Sequence, residues 1–193
     1  IIKKSKIKTK KIFNKKNNLK ILNIGRFTDQ KDQITLLKAL KILKNKIDYE
    51  AIIIGRGICK EYLQSYIMKN KLEKYVRLKN FVENPYPIIR QCDLFILSSK
   101  FEGLPNVLLE SLTLKKFIIS SNCPTGPKEI LLNGKGGLLF KVGDFKKLSQ
   151  QIYDYKKNKK RYSKMLNKSF KELKRFDFKK NLEKYLKLVS NYI

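Results

Sequence analysis

The sequence predicts an α/β fold in which a parallel β-sheet is covered by helices on both faces. Apolar, strand-like runs alternate with amphipathic, helix-like runs from Leu19 to Gly143, and this alternation is typical of repeated βαβ units. The run at residues 51–54 is wholly apolar, which suits a strand buried on both faces. From Asp144 onward the pattern is helical and strongly charged, so two or three closing helices are expected.

The individual elements follow from the same spacing. A first strand is expected at residues 19–24, ended by Gly25, and a helix at 32–43, where Ile34, Leu37 and Leu40 recur at helical spacing. Further strands are expected at 51–54, 75–78, 94–98, 117–120 and 138–140, and further helices at 60–69, before Gln91, and from about 105 to Leu114. Because parallel sheets bind ligands beyond the carboxyl ends of their strands, functional residues should lie in the turns that follow the strands.

The composition limits the chemistry that is available. The net charge is +29, from 45 Lys and Arg against 16 Asp and Glu, which favours an anionic partner such as a nucleic acid or an anionic membrane. Lys, Asn and Ile are enriched together along the whole chain, so a compositional bias explains the charge equally well. The chain has no histidine, its three cysteines form no Cys-x-x-Cys pair, and no apolar run could cross a bilayer. A soluble protein working through carboxylates, backbone dipoles, lysine and arginine is expected.

The turn after the first strand is a candidate phosphate site. No Gly-x-Gly-x-x-Gly fingerprint and no P-loop motif occurs in the chain. What remains is Gly25 beside two cations, Arg26 and Lys31, at the mouth of a helix. Glycine permits close approach of the backbone, arginine offers a planar fork and lysine a point charge, so these residues suit a diphosphate. In a chain so rich in lysine, a solvated surface is the competing interpretation.

A pair of carboxylates, Glu102 and Glu110, frames a second candidate site. Pro105 stands where a helix would begin, so Glu102 would lie in the preceding loop and Glu110 about 1.5 turns into the helix. The amides of Leu104, Asn106 and Val107 would then be unpaired donors at a positive helix end, suited to an anion. The alternative is a first-turn acid that complements the helix dipole, followed by a solvent-facing glutamate.

Several segments together resemble glycosyltransferase family 4, whose GT-B architecture consists of two facing Rossmann-like domains. Residues 102–110 are similar to the Glu-x7-Glu motif of that family, and the other similar segments follow in the expected order: 21–27, 30–32, 53–57, 84–87, 93–99, 123–131 and 142–144. The resemblance implies that Gly25, Arg26 and Lys31 bind the donor diphosphate, that Glu110 binds the ribose, and that Glu102 is the catalytic residue beside the donor sugar. It also implies that the amides of Gly103, Leu104, Asn106 and Val107 hold sugar and phosphate, and that Phe81 and Val82 line the base pocket.

The same resemblance implies how the chain is organised. Residues 1–18 would be a basic lead from an interdomain linker, 19–174 a Rossmann-like donor-binding domain, and 175–193 a C-terminal helix that packs back toward an N-terminal acceptor domain. That domain is missing from this sequence, which begins at Ile1 without a methionine, and we expect the chain to be a piece of a longer protein that does not turn over its substrate alone.

The function implied is the transfer of a sugar from a nucleoside diphosphate sugar, a UDP-sugar, to a glycan or lipid-linked acceptor in polysaccharide biosynthesis. The configuration of the transferred sugar would be retained. No metal and no other cofactor is expected, because cations and a helix end would hold the leaving diphosphate. A cytoplasmic location with peripheral contact at the inner membrane face is expected. Two alternatives remain open: a non-catalytic or truncated nucleotide-sugar-binding domain, and a basic nucleic-acid-binding module.

Overall fold

The computed structural model describes residues 1–190 and has the predicted α/β architecture. Its six strands are β1 (Leu19–Ile24), β2 (Tyr49–Ile54), β3 (Val76–Lys79), β4 (Leu94–Leu97), β5 (Phe117–Ser121) and β6 (Leu138–Phe140). Its α-helices are α1 (Ile2–Ser5), α2 (Gln33–Leu43), α3 (Lys60–Lys69), α4 (Tyr86–Gln91), α5 (Asn106–Thr113), α6 (Pro127–Ile130), α7 (Phe145–Lys157), α8 (Lys159–Glu172) and α9 (Phe178–Val189). Residues 191–193 of the predicted C-terminal helix lie outside the described part of the chain.

The strands form one parallel sheet in the order β3-β2-β1-β4-β5-β6. A hydrophobic core lies on each face of the sheet. Ile21 packs with α2, α3 and α7 on one face, while its neighbour Leu22 packs with α4, α5 and α6 on the other. The prediction of a sheet covered on both faces is therefore confirmed. Because β1 and β4 are adjacent in the middle of the sheet, the turns that follow them lie side by side.

Several boundaries differ from the predicted ones by one or two residues, and two of these differences have identifiable reasons. Strand β2 begins at Tyr49 rather than at residue 51, because Tyr49 is buried and pairs with Leu19 of β1. Helix α2 begins at Gln33, because Asp29–Lys31 forms a 3-10 turn and Asp32 takes a left-handed conformation with φ 45°. The short helix α6 was not predicted, since four residues are too few for a periodic pattern.

The basic lead, residues 1–18, is docked on the sheet rather than loose. Phe13 is only 1% exposed within the core beneath α4 and α5. The buried carboxylate of Glu50 accepts hydrogen bonds from the backbone N–H groups of Asn14 (2.9 Å) and Lys15 (3.1 Å) and pairs with Arg77. One acidic side chain therefore anchors the lysine-rich segment at the amino ends of the strands.

The C-terminal end of the described chain has the opposite character. Helix α9 buries none of its residues, and its apolar side chains Phe178, Leu182, Tyr185 and Leu186 are all exposed. They recur at the spacing of one helical face, with lysines on the other face. Among the described residues, no helix has the length and apolarity needed to span a membrane.

Candidate functional site

Three of the predicted site residues, Gly25, Lys31 and Glu102, meet at the carboxyl edge of the sheet. Gly25, Arg26 and Lys31 lie in the segment that follows β1, and Glu102 lies in the loop between β4 and α5. Since β1 pairs with β4, the cations and the carboxylate face each other across two adjacent strands.

Lys31 and Glu102 form the centre of the site. Lys31 Nζ lies 2.6 Å from Glu102 Oε1, and the two side chains are 17% and 7% exposed, so the ion pair is largely shielded from water. The stem of Lys31 passes over Gly25, where a Cβ atom would lie 3.4 Å from Lys31 Cδ. Lys31, predicted to bind phosphate, and Glu102, the predicted catalytic carboxylate, thus belong to a single cluster.

Arg26 lies at the open rim of this cluster. Its side chain is exposed and donates a hydrogen bond to Gln30 Oε1 at 3.3 Å, while Gln30 Nε2 donates to the backbone oxygen of Phe101 at 3.0 Å. Gln30 therefore links the β1 turn to the loop that carries Glu102. Sequence reasoning did not single out this residue, because only the fold brings positions 30 and 101 together.

The N-terminus of α5 presents backbone donors beside Glu102. Pro105 is the N-cap, so the helix begins at Asn106, one residue later than a helix with Pro105 at its first position. Within residues 1–190, Leu108 is the first residue of α5 whose N–H is bonded back, to Pro105 O at 2.9 Å, which leaves the amides of Asn106 and Val107 without a backbone acceptor. Gly103 and Leu104 are exposed, and nothing lies within 4 Å of a Cβ at Gly103. This end of the helix can receive an anion.

The loop that follows β5 contacts the segment that carries these donors. The hydroxyl of Thr125 donates to the backbone oxygen of Glu102. Gly126 has φ 65°, and a Cβ atom there would overlap Gly103 O and Pro105 Cδ. Burial raises the pKa of the Cys123 thiol, which lies near Glu102 and Lys31. None of these three was among the predicted site residues, although the sequence Thr125-Gly126-Pro127 is a turn signal.

Glu110 lies in different surroundings from Glu102. It is half-buried on α5 and accepts a hydrogen bond from the phenol of Tyr86, at the start of α4, over 3.3 Å. Burial raises the pKa of the Glu110 carboxyl, and the Tyr86 hydrogen bond partly offsets that rise. The two predicted carboxylates are therefore held separately: Glu102 by a cation and Glu110 by a neutral hydroxyl.

The predicted base pocket lies beyond β3, in the loop before α4. Phe81 is exposed, and the guanidinium of Arg56, which follows β2, lies 5.0 Å from the centre of its ring. Val82 packs against the core beneath α4 and α5. Phe81 thus lies in the loop that leads from β3 to α4, the helix whose first residue, Tyr86, contacts Glu110.

Two open cavities differ in their relation to this site. One of about 680 Å³ is formed by the segment 122–133 that supports Glu102, with Asn122, Thr125 and Lys128 among its lining residues. The other, of about 700 Å³, lies between α2 and α7 and contains none of the predicted site residues. Within residues 1–190, no three His, Cys, Asp or Glu side chains converge as metal ligands would.

The amino-acid sequence of this chain is similar to those of known proteins. Residues 4–172 match the family described as Glycosyl transferases group 1. The N-acetylgalactosamine-N,N'-diacetylbacillosaminyl-diphospho-undecaprenol 4-alpha-N-acetylgalactosaminyltransferase of Campylobacter jejuni is 32% identical over 80% of this chain and 43% of its own length. An uncharacterized glycosyltransferase of Methanocaldococcus jannaschii is 39% identical over 60% of this chain and 29% of its own length. The chain thus spans less than half the length of these relatives.

Solved structures share the fold. A Staphylococcus aureus TarM mutant, in complex with Fondaparinux, alpha-GlcNAc-glycerol and UDP, superposes with a TM-score of 0.82 at 21% identity, covering 92% of this chain and 37% of TarM. Anabaena HepE in complex with UDP-glucose gives a TM-score of 0.82 at 20% identity, covering 91% of this chain and 49% of HepE. The sheet and its helices are thus those of a Rossmann-like domain found in GT-B structures.

Proposed function

Since this chain belongs to the group 1 glycosyl transferases, we propose that it forms the donor-binding half of an enzyme that transfers a sugar from a nucleoside diphosphate. The observation that carries this proposal is the shielded Lys31–Glu102 pair, which lies beside the open amides of Asn106 and Val107. Cation and amides suit a diphosphate, and the carboxylate suits the hydroxyl groups of a sugar. TarM and HepE, which share the fold, have been captured with UDP and with UDP-glucose, which favours a UDP-sugar as the donor.

In this proposal each group at the sheet edge has one task. Lys31, Arg26 and the α5 amides hold the diphosphate, and they stabilise the charge that develops on it as the glycosidic bond breaks. Glu102 is the catalytic residue at the sugar, and Glu110 accepts hydrogen bonds from the ribose hydroxyls. Phe81 and Val82 line the base pocket. The transfer proceeds without a metal and with retention of configuration.

The acceptor side lies outside this sequence. The relatives in Campylobacter jejuni are named as transferases acting on undecaprenol-linked glycans, which supports a glycan or lipid-linked acceptor. We propose that an N-terminal domain supplies its binding site and that the exposed apolar face of α9 packs back toward that domain. The chain alone would then bind donor weakly without turning it over.

The net charge of +29 supports a second part of the proposal, peripheral contact with an anionic membrane at the cytoplasmic face. Vesicles of anionic phospholipid should bind the longer protein and release it as the salt concentration rises, whereas vesicles of zwitterionic lipid should not bind it. Equal binding to both kinds of vesicle would contradict the electrostatic contact.

The donor site is tested by titrating the protein with UDP in a calorimeter. Arg26→Ala, Lys31→Ala and Glu110→Ala should each weaken binding by about 1–3 kcal/mol, because each removes a partner of a charged or ribose group. Lys164→Ala, which removes an exposed charge on α8, is the matched control and should bind like the wild type. Unchanged affinity for UDP in all three site variants would contradict the assignment of these residues to the donor site.

Two alternatives predict different results. A basic nucleic-acid-binding module would bind random oligonucleotides with a steep salt dependence and would not release them on addition of UDP. A non-catalytic nucleotide-sugar-binding domain would bind UDP as proposed, and the longer protein that contains it would release no UDP from any UDP-sugar.

A further inference from the structure

Four serines lie at the carboxyl ends of β4 and β5, and all of them are fully buried: Ser98, Ser99, Ser120 and Ser121. A buried hydroxyl needs a hydrogen-bond partner, and the partner it has indicates what it does. Three of these serines connect to the Lys31–Glu102 cluster, and Ser120 does not.

Ser99 contacts the carboxylate of Glu102 directly. Its Oγ donates to Glu102 Oε1 over 2.5 Å, and the same oxygen accepts from Lys31 Nζ over 2.6 Å. Within residues 1–190, Glu102 Oε2 accepts no hydrogen bond from a protein group. The carboxylate is thus held through one oxygen, and its other oxygen remains available to a ligand.

Ser99 is itself fixed by the neighbouring strand. Its backbone oxygen accepts from Ser121 Oγ over 2.6 Å, so the end of β4 is held against the end of β5. Ser98, on the opposite side of the same strand end, donates to the backbone oxygen of Lys31 over 3.0 Å. Both members of the ion pair are therefore attached to the end of β4 by a serine hydroxyl.

We propose that Ser99 is a positioning residue that orients Glu102 toward the donor sugar. The inference rests on the proposed function and adds a residue to it. Lysine is a flexible donor whose charge also attracts the diphosphate, so on its own it would let the carboxylate turn when a donor arrives. A neutral hydroxyl on a fixed strand does not respond to the phosphate charge. Ser99 thus keeps Oε1 occupied and Oε2 directed at the sugar while Lys31 engages the diphosphate.

Ser120 offers a matched control. It is equally buried on the adjacent strand, but within residues 1–190 its hydroxyl donates to the backbone oxygen of Ser121, over 3.0 Å, and hydrogen-bonds to no charged side chain. Ser120→Ala therefore removes a buried serine hydroxyl from the same sheet edge without touching Glu102 or Lys31.

The test uses the full-length protein that contains this chain, with Ser99→Ala, Ser99→Thr and Ser120→Ala. UDP binding is measured by calorimetry, and kcat and KM are measured as UDP release from UDP-GlcNAc, UDP-GalNAc and UDP-glucose. Ser99→Ala should lower kcat about 10- to 100-fold, the scale expected when a reacting group is misplaced by ~1 Å. UDP has no sugar, so its affinity should change less than about twofold. Ser99→Thr, which keeps the hydroxyl, should recover most of kcat, and Ser120→Ala should match the wild type.

Two results would overturn the inference while leaving the proposed function intact. One is a kcat for Ser99→Ala no lower than that for Ser120→Ala. The other is a parallel loss of UDP affinity, kcat and melting temperature in Ser99→Ala, which would indicate a purely structural serine. If the wild type binds no UDP and releases none from any of the three donors, the proposed function and this inference fail together.

Discussion

Glu102 and Glu110 are separated by seven residues in one motif, yet the fold places them in unlike electrostatic surroundings. Glu102 lies against Lys31 and Ser99, which both donate to it, so its charge is compensated. Within residues 1–190, the side chain that donates a hydrogen bond to Glu110 is Tyr86, and burial raises the pKa of the Glu110 carboxyl. The difference follows from which strand or helix each residue faces.

Glu110→Gln should separate stability from function. Burial raises the pKa of Glu110 in the folded protein above its ordinary value of 4.5. The protonated carboxyl therefore contributes stability below pH 4.5, and this stability is lost as the pH rises through the raised pKa. The glutamine variant should therefore melt higher than the wild type at pH 7. The difference should shrink toward pH 4.5, while UDP binding is weakened at pH 7.

Melting curves from pH 4.5 to 7 check this prediction, with Glu83→Gln as an exposed control. A variant that melts lower than the wild type at pH 7 would show that ionised Glu110 stabilises the fold, contrary to the sign derived above.

At the residue scale, the sequence could indicate the kinds of group in the site but not their pairing. Lys31 is one of 45 Lys and Arg residues, and its distinction is a buried contact with Glu102, 71 positions away. The assigned tasks of Arg26, Glu110, Phe81 and Val82 stay predictions. Gln30, Ser99 and Tyr86 lie in segments that resemble the family, but none was predicted as a site residue, because each acts through a partner that only the fold brings near.

At the scale of elements, the loop that carries Glu102 depends on its neighbour after β5. Gly126→Ala should displace that loop, because its Cβ would overlap Gly103 O and Pro105 Cδ. Gly143→Ala is the matched control, since Gly143 also has a positive φ, 77°, but has nothing within 4 Å of a Cβ. Both variants carry the backbone strain, so the extra cost in Gly126→Ala, about 1–3 kcal/mol, measures the overlap.

Denaturant unfolding gives the two free energies, and UDP titration shows whether the loop has moved. Donor affinity should fall in Gly126→Ala and remain in Gly143→Ala. Equal behaviour of the two variants would mean that the β5–α6 loop does not support the site.

The basic lead was predicted as linker, and its docking depends on the carboxylate of Glu50. Glu50→Gln replaces the charged acceptor of Asn14, Lys15 and Arg77, and should lower the free energy of unfolding by about 1–3 kcal/mol. The lead should then loosen, so that trypsin cleaves after Lys10 or Lys15 faster than in the wild type. Glu83→Gln serves as the control, and equal cleavage rates would show that Phe13 alone holds the lead.

All six strands could be predicted from sequence, most of them because they are apolar runs between turn residues, as in β4 and β5, and β3 because Val76 and Leu78 alternate with charged residues. The ends of elements were less predictable, since tertiary contacts decide them. Tyr49 extends β2 because it is buried against α2, where its hydroxyl donates to Leu40 O. Asp32 ends the 3-10 turn in a left-handed conformation that no periodic pattern indicates.

At the scale of the whole molecule, the apolar face of α9 is buried against no other part of residues 1–190. Phe178 is 76% exposed and Leu186 56% exposed, which is unusual for large apolar side chains arranged on one face. If this face packs on an N-terminal domain, Leu186→Asp in the longer protein should lower turnover at least tenfold. UDP affinity should be retained, because α9 contains none of the proposed donor-binding residues.

The matched control is Lys184→Asp, on the opposite face of the same helix, which should leave turnover near the wild-type level. Limited proteolysis should find the two domains of the Leu186→Asp variant more easily separated. Turnover equal to the wild type in both variants would contradict the packing.

The contrast between Arg26 and Glu102 has a consequence for the order of events at the sheet edge. Glu102 is fixed through its backbone and one carboxylate oxygen, whereas Arg26 lies in solvent with a single 3.3 Å contact. An arriving donor would first contact the exposed side chain of Arg26, which attracts any diphosphate. Its sugar would contact the fixed carboxylate of Glu102 only afterwards. In the proposed enzyme, discrimination among sugars would then follow the first encounter, so other nucleotides would compete for the site without serving as substrates.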